Sequence, residues 1–286
     1  MNAIIDTHVH CWNLERARYD WLEGNGTLLN RNYAFSELQP EFQQAGIAGG
    51  MLVQAANNVD DTELMLEIAR AFPTVVGVVG WLPLEAPEDV QRLIEGQFRK
   101  EPHLKGVRHL IHNETDAKWL LREPVLDSLR ILAAECIPYD VVGVLPEHLE
   151  TVLEVAERIP GLRLMLDHLN QPPIAAKETF GRWGELMSEV CQHTQVWCKI
   201  SGLGTTTGKG NAWTAEDIKP YVAYVLELFG VERCICGGDW PVSLLAGSYA
   251  HTWQTYREVI GNLLPPGEQA QIYRENAIAF YKLEMP

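Results

Sequence analysis

The sequence predicts a single α/β domain with the (β/α)₈ fold of a TIM barrel, and three observations lead to this. Short apolar runs recur eight times along the 286 residues. The segments between the runs often show apolar side chains at helical spacing, as in residues 62–72. The length suits one such barrel, which typically has about 250 residues.

The eight runs are predicted to be parallel strands, because each is apolar almost throughout, as expected of strands buried on both faces. Strands that alternate with helices indicate crossover connections, and eight units favour closure into a barrel. An open doubly wound sheet is the alternative, but no GxGxxG motif follows the first run. The runs are Ala3–Cys11, Gly50–Ala55, Val75–Leu82, Lys105–Ile111, Ile137–Val144, Leu162–Leu169, Val196–Leu203 and Arg233–Asp239.

Three of the intervening segments carry a clear helical pattern, and each follows a predicted strand. The first has Asp60 or Asp61 as an N-cap, and the last has Gly230 placed to end it. The predicted helices are Thr62–Phe72, Pro146–Ile159 and Pro220–Phe229.

Residues 13–35 interrupt this alternation and contain Tyr19, Trp21 and Tyr33. An insertion after the first strand of a barrel lies at the catalytic end. It is either a loop that covers a substrate or an ordered surface loop packed by its own aromatic residues. We expect residues 1–286 to form one domain that includes this insertion.

Composition narrows the classes of function. The 23 basic and 38 acidic residues give a net charge of −15, which disfavours a nucleic-acid partner. No apolar stretch approaches the roughly 20 residues of a membrane span, and the N-terminus does not resemble a signal peptide. The sequence therefore predicts a cytoplasmic protein without a membrane partner; a homo-oligomer is compatible with it.

Three predicted strands end in residues suited to catalysis. His8 and His10 alternate along the first run, so both side chains face the barrel interior. His168 closes the sixth run and Asp239 the eighth. Imidazoles can bind a divalent metal or donate hydrogen bonds, and a partly desolvated carboxylate can bind metal or accept a proton from water. Structural roles as buried histidines and as a helix N-cap are the alternatives.

Further polar and aromatic residues at strand ends are candidates for substrate binding. Lys199 interrupts an apolar run, so it either contacts substrate or pairs with a carboxylate such as Asp167 or Asp239. Of the neighbours Arg108 and His109, only one is expected to face fully into the barrel. Gln54 suits polar contact, and Trp81 suits stacking on a sugar ring, with packing alone as its alternative; Trp12 is the remaining candidate.

Motifs in the same order along nearly the whole chain resemble the amidohydrolase superfamily. The motifs are Asp6-Thr-His-Val-His10, Tyr19-Asp-Trp-Leu22, Val79-Gly-Trp-Leu-Pro83, Gly106-Val-Arg-His109, Leu166-Asp-His168, Cys198-Lys-Ile-Ser-Gly202 and Gly237-Gly-Asp-Trp-Pro241. They are most similar to the sugar-lactonase branch, which includes L-fuconolactonases and L-rhamnonolactonases and is related to pyrone-dicarboxylate lactonases.

The resemblance implies that His8, His10, His168 and Asp239 surround the reacting centre of a distorted barrel. Binuclear members also use a carboxylated lysine or glutamate on the fourth strand and a histidine on the fifth. This sequence has Arg108-His109 on the fourth run and no histidine on the fifth. The resemblance therefore implies one divalent ion, with zinc expected on His8, His10 and Asp239, or a site that works without metal.

The function implied by the resemblance is hydrolysis of a sugar lactone, such as L-fucono- or L-rhamnono-lactone, to the sugar acid. Few cationic residues are available at the strand ends, and this favours a neutral lactone over a di- or tricarboxylate. Two alternatives remain open from the sequence. One is a zinc-dependent decarboxylase of a small unsaturated or aromatic acid, and the other is a barrel without catalytic activity.

Overall fold

The computed structural model of the chain describes residues 3–24, 26–176 and 179–284. Eight parallel strands lie side by side in chain order, from β1 to β8, as the apolar runs predict. The (β/α)₈ prediction is therefore confirmed. The strands are β1 Ile4–Val9, β2 Ile47–Val53, β3 Val75–Gly80, β4 Leu104–His109, β5 Tyr139–Val141, β6 Leu164–Leu166, β7 Val196–Ile200 and β8 Cys234–Cys236.

The barrel closes where the chain beyond β8 meets β1. The backbone N–H of Asp239 donates to the carbonyl of His8 over 2.7 Å, and that of His10 donates to the carbonyl of Trp240 over 2.7 Å. Val9 and Trp240 form an isolated parallel bridge. These bonds place the segment after the last strand directly beside the end of the first.

Helices follow the strands around the outside of the barrel. A π-helical turn, Gln271–Glu275, joins the last two into one rod. The helices are α1 Phe35–Ala45, α2 Val59–Ala71, α3 Pro87–Gly96, α4 Glu123–Ala134, α5 Pro146–Arg158, α6 Gly181–Val190, α7 Leu203–Thr206, α8 Ala215–Phe229, α9 Tyr249–Leu263, α10 Pro266–Ala270 and α11 Asn276–Tyr281.

Two predicted helix starts are wrong. Helix α2 begins at Val59, and its N-cap is Asn58, whose side chain accepts a bond from the backbone N–H of Asp61. Helix α8 begins at Ala215, five residues before Pro220, because Thr214 and Asp217 form a capping box ahead of the proline.

The lower part of the barrel interior is apolar and is closed by the last helix. Five strand residues form what we call the apolar layer: Ile5, Met51, Val76, Met165 and Ile235. Phe280 and Tyr281 of α11 pack against this layer from the end of the barrel at which the strands begin. The polar residues of the strand ends lie above this layer.

The predicted insertion is ordered over its described residues. Trp12 and Tyr33 exchange two backbone hydrogen bonds, of 3.1 and 2.9 Å, which close its base. Asp20–Leu22 forms one short 3₁₀ turn within it. Asn25 and both ends of the predicted domain lie outside the described residues. In the described part of the chain, no helix has the length and apolar character needed to cross a membrane.

Candidate active site

Three side chains at or just beyond the ends of the first and last strands meet at the mouth of the barrel. The Nε2 atom of His10 lies 3.4 Å from Oδ1 of Asp239, and Nε2 of His8 lies 3.8 Å from the same oxygen. One ligand atom from each of the three residues lies within 4.8 Å of the others. All three are buried, with at most 4% of each residue exposed. The structure thus brings together the predicted metal ligands.

Hydrogen bonds orient the two imidazoles of β1. The Nδ1 atom of His10 donates to the carbonyl of Val53 over 2.7 Å, and its Nε2 faces Asp239. A backbone partner of this kind commonly fixes a metal-binding histidine. His8 is deeper, and its Nε2 accepts from Nη1 of Arg108 over 3.1 Å. The Nε2 atoms of both histidines therefore face the Asp239 carboxylate, and that of His8 also accepts from Arg108.

His168 joins this group from the end of β6. Its ring lies 4.5 Å from that of His8, measured between centroids, and its Nδ1 bonds with Oγ of Ser201 over 2.8 Å. Its φ of 55° is in the left-handed region, where a non-glycine residue is strained. Gly202 makes room for it, because a Cβ at that position would lie 2.5 Å from Nδ1 of His168. The loop geometry thus holds the imidazole against the other two.

A cavity of about 150 Å³ opens above these residues. It is of a size to admit a small ligand, and its wall combines three of the four catalytic candidates with residues that follow seven of the eight strands. The lining residues are His10, Trp21, Ala55, Arg108, Leu110, His112, Val142, His168, Gln171, Gly202, Thr205, Asp239 and Val242.

Four charged residues form a charged layer between the mouth and the apolar layer: Arg108, Asp140, Asp167 and Lys199. The ammonium of Lys199 lies 2.8 Å from carboxylate oxygens of both Asp140 and Asp167. Arg108 donates to Oδ2 of Asp167 over 2.9 Å. Tyr281, from α11, donates to Asp140 over 2.7 Å. Two cations and two carboxylates are therefore buried as a balanced set, as the cost of burying charge requires.

Burial and the charged layer set the protonation of the site. Burial lowers the pKa of His8 well below its usual value, although Asp167 acts in the opposite direction. Burial likewise lowers the pKa of His168. Burial alone would raise the pKa of Asp167, but the charge of Lys199 and the nearby His8 and Arg108 hold it well below the usual range. Near pH 7 both histidines are neutral and Asp167 is ionised.

Lys199 occupies the second of its two predicted positions. It is fully buried beneath the cavity and pairs with Asp167, as predicted, and with Asp140 in place of Asp239. The reason is depth, since strand β7 places residue 199 one layer below the mouth. Its assignment as a substrate-binding residue stays a prediction that this geometry does not support.

Of the other predicted binding residues, one lines the cavity and four do not. Arg108 lines the cavity, whereas its neighbour His109 stacks on Trp119 with a centroid distance of 4.0 Å. The indole N–H of Trp81 donates to His109 over 3.0 Å. The buried side chains of Gln54 and Trp12 donate to backbone carbonyls, those of Arg108 and Arg31. These four side chains support the loops of the mouth and lie outside the cavity wall.

Several residues of the cavity wall were not predicted from the sequence. Trp21 comes from the insertion, His112 and Gln171 come from the segments after β4 and β6, and Thr205 comes from the short helix α7 after β7. Loop residues carry no periodic pattern, so alternation along strands cannot locate them. The insertion itself was the available signal for Trp21, because its predicted place was at the catalytic end.

The comparison with protein families settles the broad identity of the chain. Residues 5–283 match the family described as amidohydrolase. The chain belongs to the amidohydrolase family. The match includes residues of all eight strands and all four predicted catalytic residues.

Individual relatives of this amidohydrolase are similar over their whole length. It is 32% identical to the L-fucono-1,5-lactonase of Burkholderia ambifaria, covering 100% of this chain and 98% of the relative. It is 29% identical to the L-fucono-1,5-lactonase of Burkholderia multivorans, covering 99% and 97%. A crystal structure of an amidohydrolase from Burkholderia multivorans with bound zinc has a TM-score of 0.89 and 29% identity, covering 99% of this chain and 100% of that one.

Proposed function

We propose that this amidohydrolase hydrolyses the ester of a sugar lactone to give the sugar acid, with L-fucono-1,5-lactone as the first candidate. The observation that carries the proposal is the contact of Asp239 with His8 and His10 at a cavity of about 150 Å³. The full-length similarity to two L-fucono-1,5-lactonases supports the choice of substrate.

In the proposed reaction, Asp239 accepts a proton from the attacking water as its oxygen bonds to the lactone carbonyl carbon. Negative charge then grows on the carbonyl oxygen, where His168 and the Arg108 guanidinium at the cavity wall would stabilise it. The bond from the carbonyl carbon to the ring oxygen breaks, and the proton on Asp239 passes to that oxygen. The products are the open-chain acid and its new hydroxyl group.

The donor set also suits a single divalent cation. Two imidazoles and one carboxylate are donor groups of the kind that hold catalytic zinc. The Nε2 atom of His10, which faces Asp239 while Nδ1 bonds with the Val53 carbonyl, fits that assignment. His8, His10 and Asp239 would hold the ion. When bound, it would act as a Lewis acid on the lactone carbonyl.

The charge of the cavity wall supports a neutral substrate. Among the described lining residues, Arg108 is the permanent cation, and Asp167 already pairs with it over 2.9 Å. A di- or tricarboxylate substrate would need several converging cations. The same consideration weakens the decarboxylase alternative, whose acid substrate would need a cationic clamp beside the metal.

A pH-indicator assay of purified protein against a panel of aldonolactones tests the proposal. We expect acid release from L-fucono-1,5-lactone and loss of that release in Asp239→Asn. Parallel assays with a chelator and with added zinc distinguish the metal-dependent reaction from the metal-free one. Inertness toward all the lactones, with zinc present, would support a non-catalytic barrel. Release of carbon dioxide from unsaturated or aromatic acids would support the decarboxylase.

A further inference from the structure

Among the described residues of the cavity wall, Trp21 of the insertion is the tryptophan, and Trp81 is not part of the wall. The indole N–H of Trp21 donates to the carbonyl of Ala55 over 2.7 Å, and Ala55 is its neighbour in the cavity wall. Because this bond uses the polar hydrogen of the indole, Trp21 contributes carbon surface to the cavity. Aromatic carbon surface suits the C–H groups of a sugar ring.

A buried carboxylate holds the same peptide from its other side. Asp61, at the start of α2, is fully buried and accepts from the backbone N–H of Ala55 over 2.8 Å and of Ala56 over 3.3 Å. Its second oxygen accepts from the hydroxyl of Tyr19 over 2.8 Å. One carboxylate therefore joins the insertion to the end of β2.

Other contacts hold the indole in the same place. The ring of Trp12 lies behind Trp21 at a centroid distance of 5.4 Å and an interplanar angle of 86°. Asn58, the N-cap of α2, donates to the carbonyl of Arg18, two residues before Asp20–Leu22. The insertion is thus bonded to residues 55–61 through Trp21 itself and through Arg18 and Tyr19 just before it.

We propose that Trp21 is a substrate-contacting residue that packs against the lactone ring, and that Asp61 and Tyr19 are positioning residues that hold it there. The inference rests on the proposed lactone hydrolysis. It makes the insertion a fixed wall of the site, where the sequence allowed either a mobile cover or a surface loop. Trp21 takes the ring-packing role that the sequence analysis gave to Trp81.

Steady-state hydrolysis of L-fucono-1,5-lactone by Trp21 variants tests the contact. Trp21→Ala removes the carbon surface, and we expect KM to rise about threefold to tenfold while kcat changes by less than about twofold. Trp21→Phe keeps an aromatic ring and should recover part of the loss. Trp21 is partly exposed, so both variants should fold. An unchanged KM in Trp21→Ala would overturn the contact.

A matched pair of hydroxyl deletions tests the positioning. Tyr19→Phe removes the bond to Asp61, whereas Tyr33→Phe removes a bond of the same length, 2.8 Å, to the carbonyl of Leu28 in the same insertion. We expect Tyr19→Phe to raise KM about twofold to fivefold, and Tyr33→Phe to leave KM unchanged. Equal effects of the two variants would show that the insertion responds to any loss of packing, and would overturn the positioning role.

The double variant Tyr19→Phe with Trp21→Ala separates the two roles. If Tyr19 acts through Trp21, the double variant should have the KM of Trp21→Ala alone. Multiplied effects would mean that Tyr19 acts on the site by another route. A wild-type protein that hydrolyses no lactone overturns the proposed function and this inference together, whereas an active wild type with an insensitive Trp21 overturns the inference alone.

Discussion

The two ends of the barrel interior differ in chemistry although the same strands build both. Strand β1 contributes Ile5 to the apolar layer and His8 to the mouth, and β6 contributes Met165 below and leads into Asp167 above. The lower end is closed by Phe280 and Tyr281, and the upper end opens to the cavity. Within one barrel, the residues that stabilise the fold and the residues that form the reactive site therefore lie at different levels along the barrel axis.

The largest expected effect is at the mouth. Asp239→Asn keeps the shape of the side chain but removes the base, so kcat for lactone hydrolysis should fall about 10²- to 10⁴-fold. The surface variant Asp116→Asn, at a carboxylate that is 47% exposed, is the control and should keep full activity. Similar thermal midpoints for both proteins would show that the loss is chemical. Near-wild-type turnover by Asp239→Asn would refute its role as the base.

The charged layer between the two ends should affect stability most. Lys199→Met leaves Asp140 and Asp167 without their shared cation, and we expect a loss of about 3–5 kcal/mol in the free energy of unfolding in urea. The double variant with Asp140→Asn removes one of the two carboxylates left without that cation and should recover part of the lost stability. Equal stability of the single and double variants would contradict the charge-balance explanation.

A change in the apolar layer should affect stability alone. Ile5→Val removes one methylene group from a fully buried position, and we expect a loss of about 0.5–1.5 kcal/mol in the free energy of unfolding. KM and kcat should stay unchanged, although His8 is on the same strand. An altered kcat would show that a change in the apolar layer affects the site at the mouth, and would contradict the separation of the two ends.

The smallest expected effect is a pH dependence that arises beside the mouth. Burial lowers the pKa of His109, although Glu114 favours its charged form. His109 is therefore neutral when folded and gains a proton on unfolding below about pH 6.5, so folding becomes less favourable as the pH falls. His109→Gln should lose less stability than wild type between pH 7 and pH 5. Parallel thermal-midpoint curves for the two proteins would contradict this.

Sequence patterns could predict the barrel and the positions of His8, His10, His168 and Asp239 at strand ends, because strand alternation and strand ends are local properties. The family resemblance implied that these four residues meet. The patterns could not predict that β2 begins at Ile47, before the predicted start at Gly50. Gly50 is packed against Phe42 of α1. Such a contact depends on residues that meet only in the folded barrel.

The roles of side chains at the strand ends were harder to predict for the same reason. Lys199 and Trp81 stand at suitable positions, but partners distant in sequence, Asp140 and His109, turn them away from the cavity. Trp21 was identified only as part of an insertion, since its place in the wall depends on Asp61 and Ala55. Long-range hydrogen bonds therefore decide what local patterns leave open.

The bond between the backbones of Asp239 and His8 has a consequence for how the protein is made. A ribosome releases both histidines of β1 early and the aspartate only after the eighth strand, so a nascent chain holds an incomplete site throughout most of its synthesis. Hydrolysis can begin only after the two ends of the sheet have joined. The onset of turnover during translation or refolding would thus report the moment at which the barrel closes.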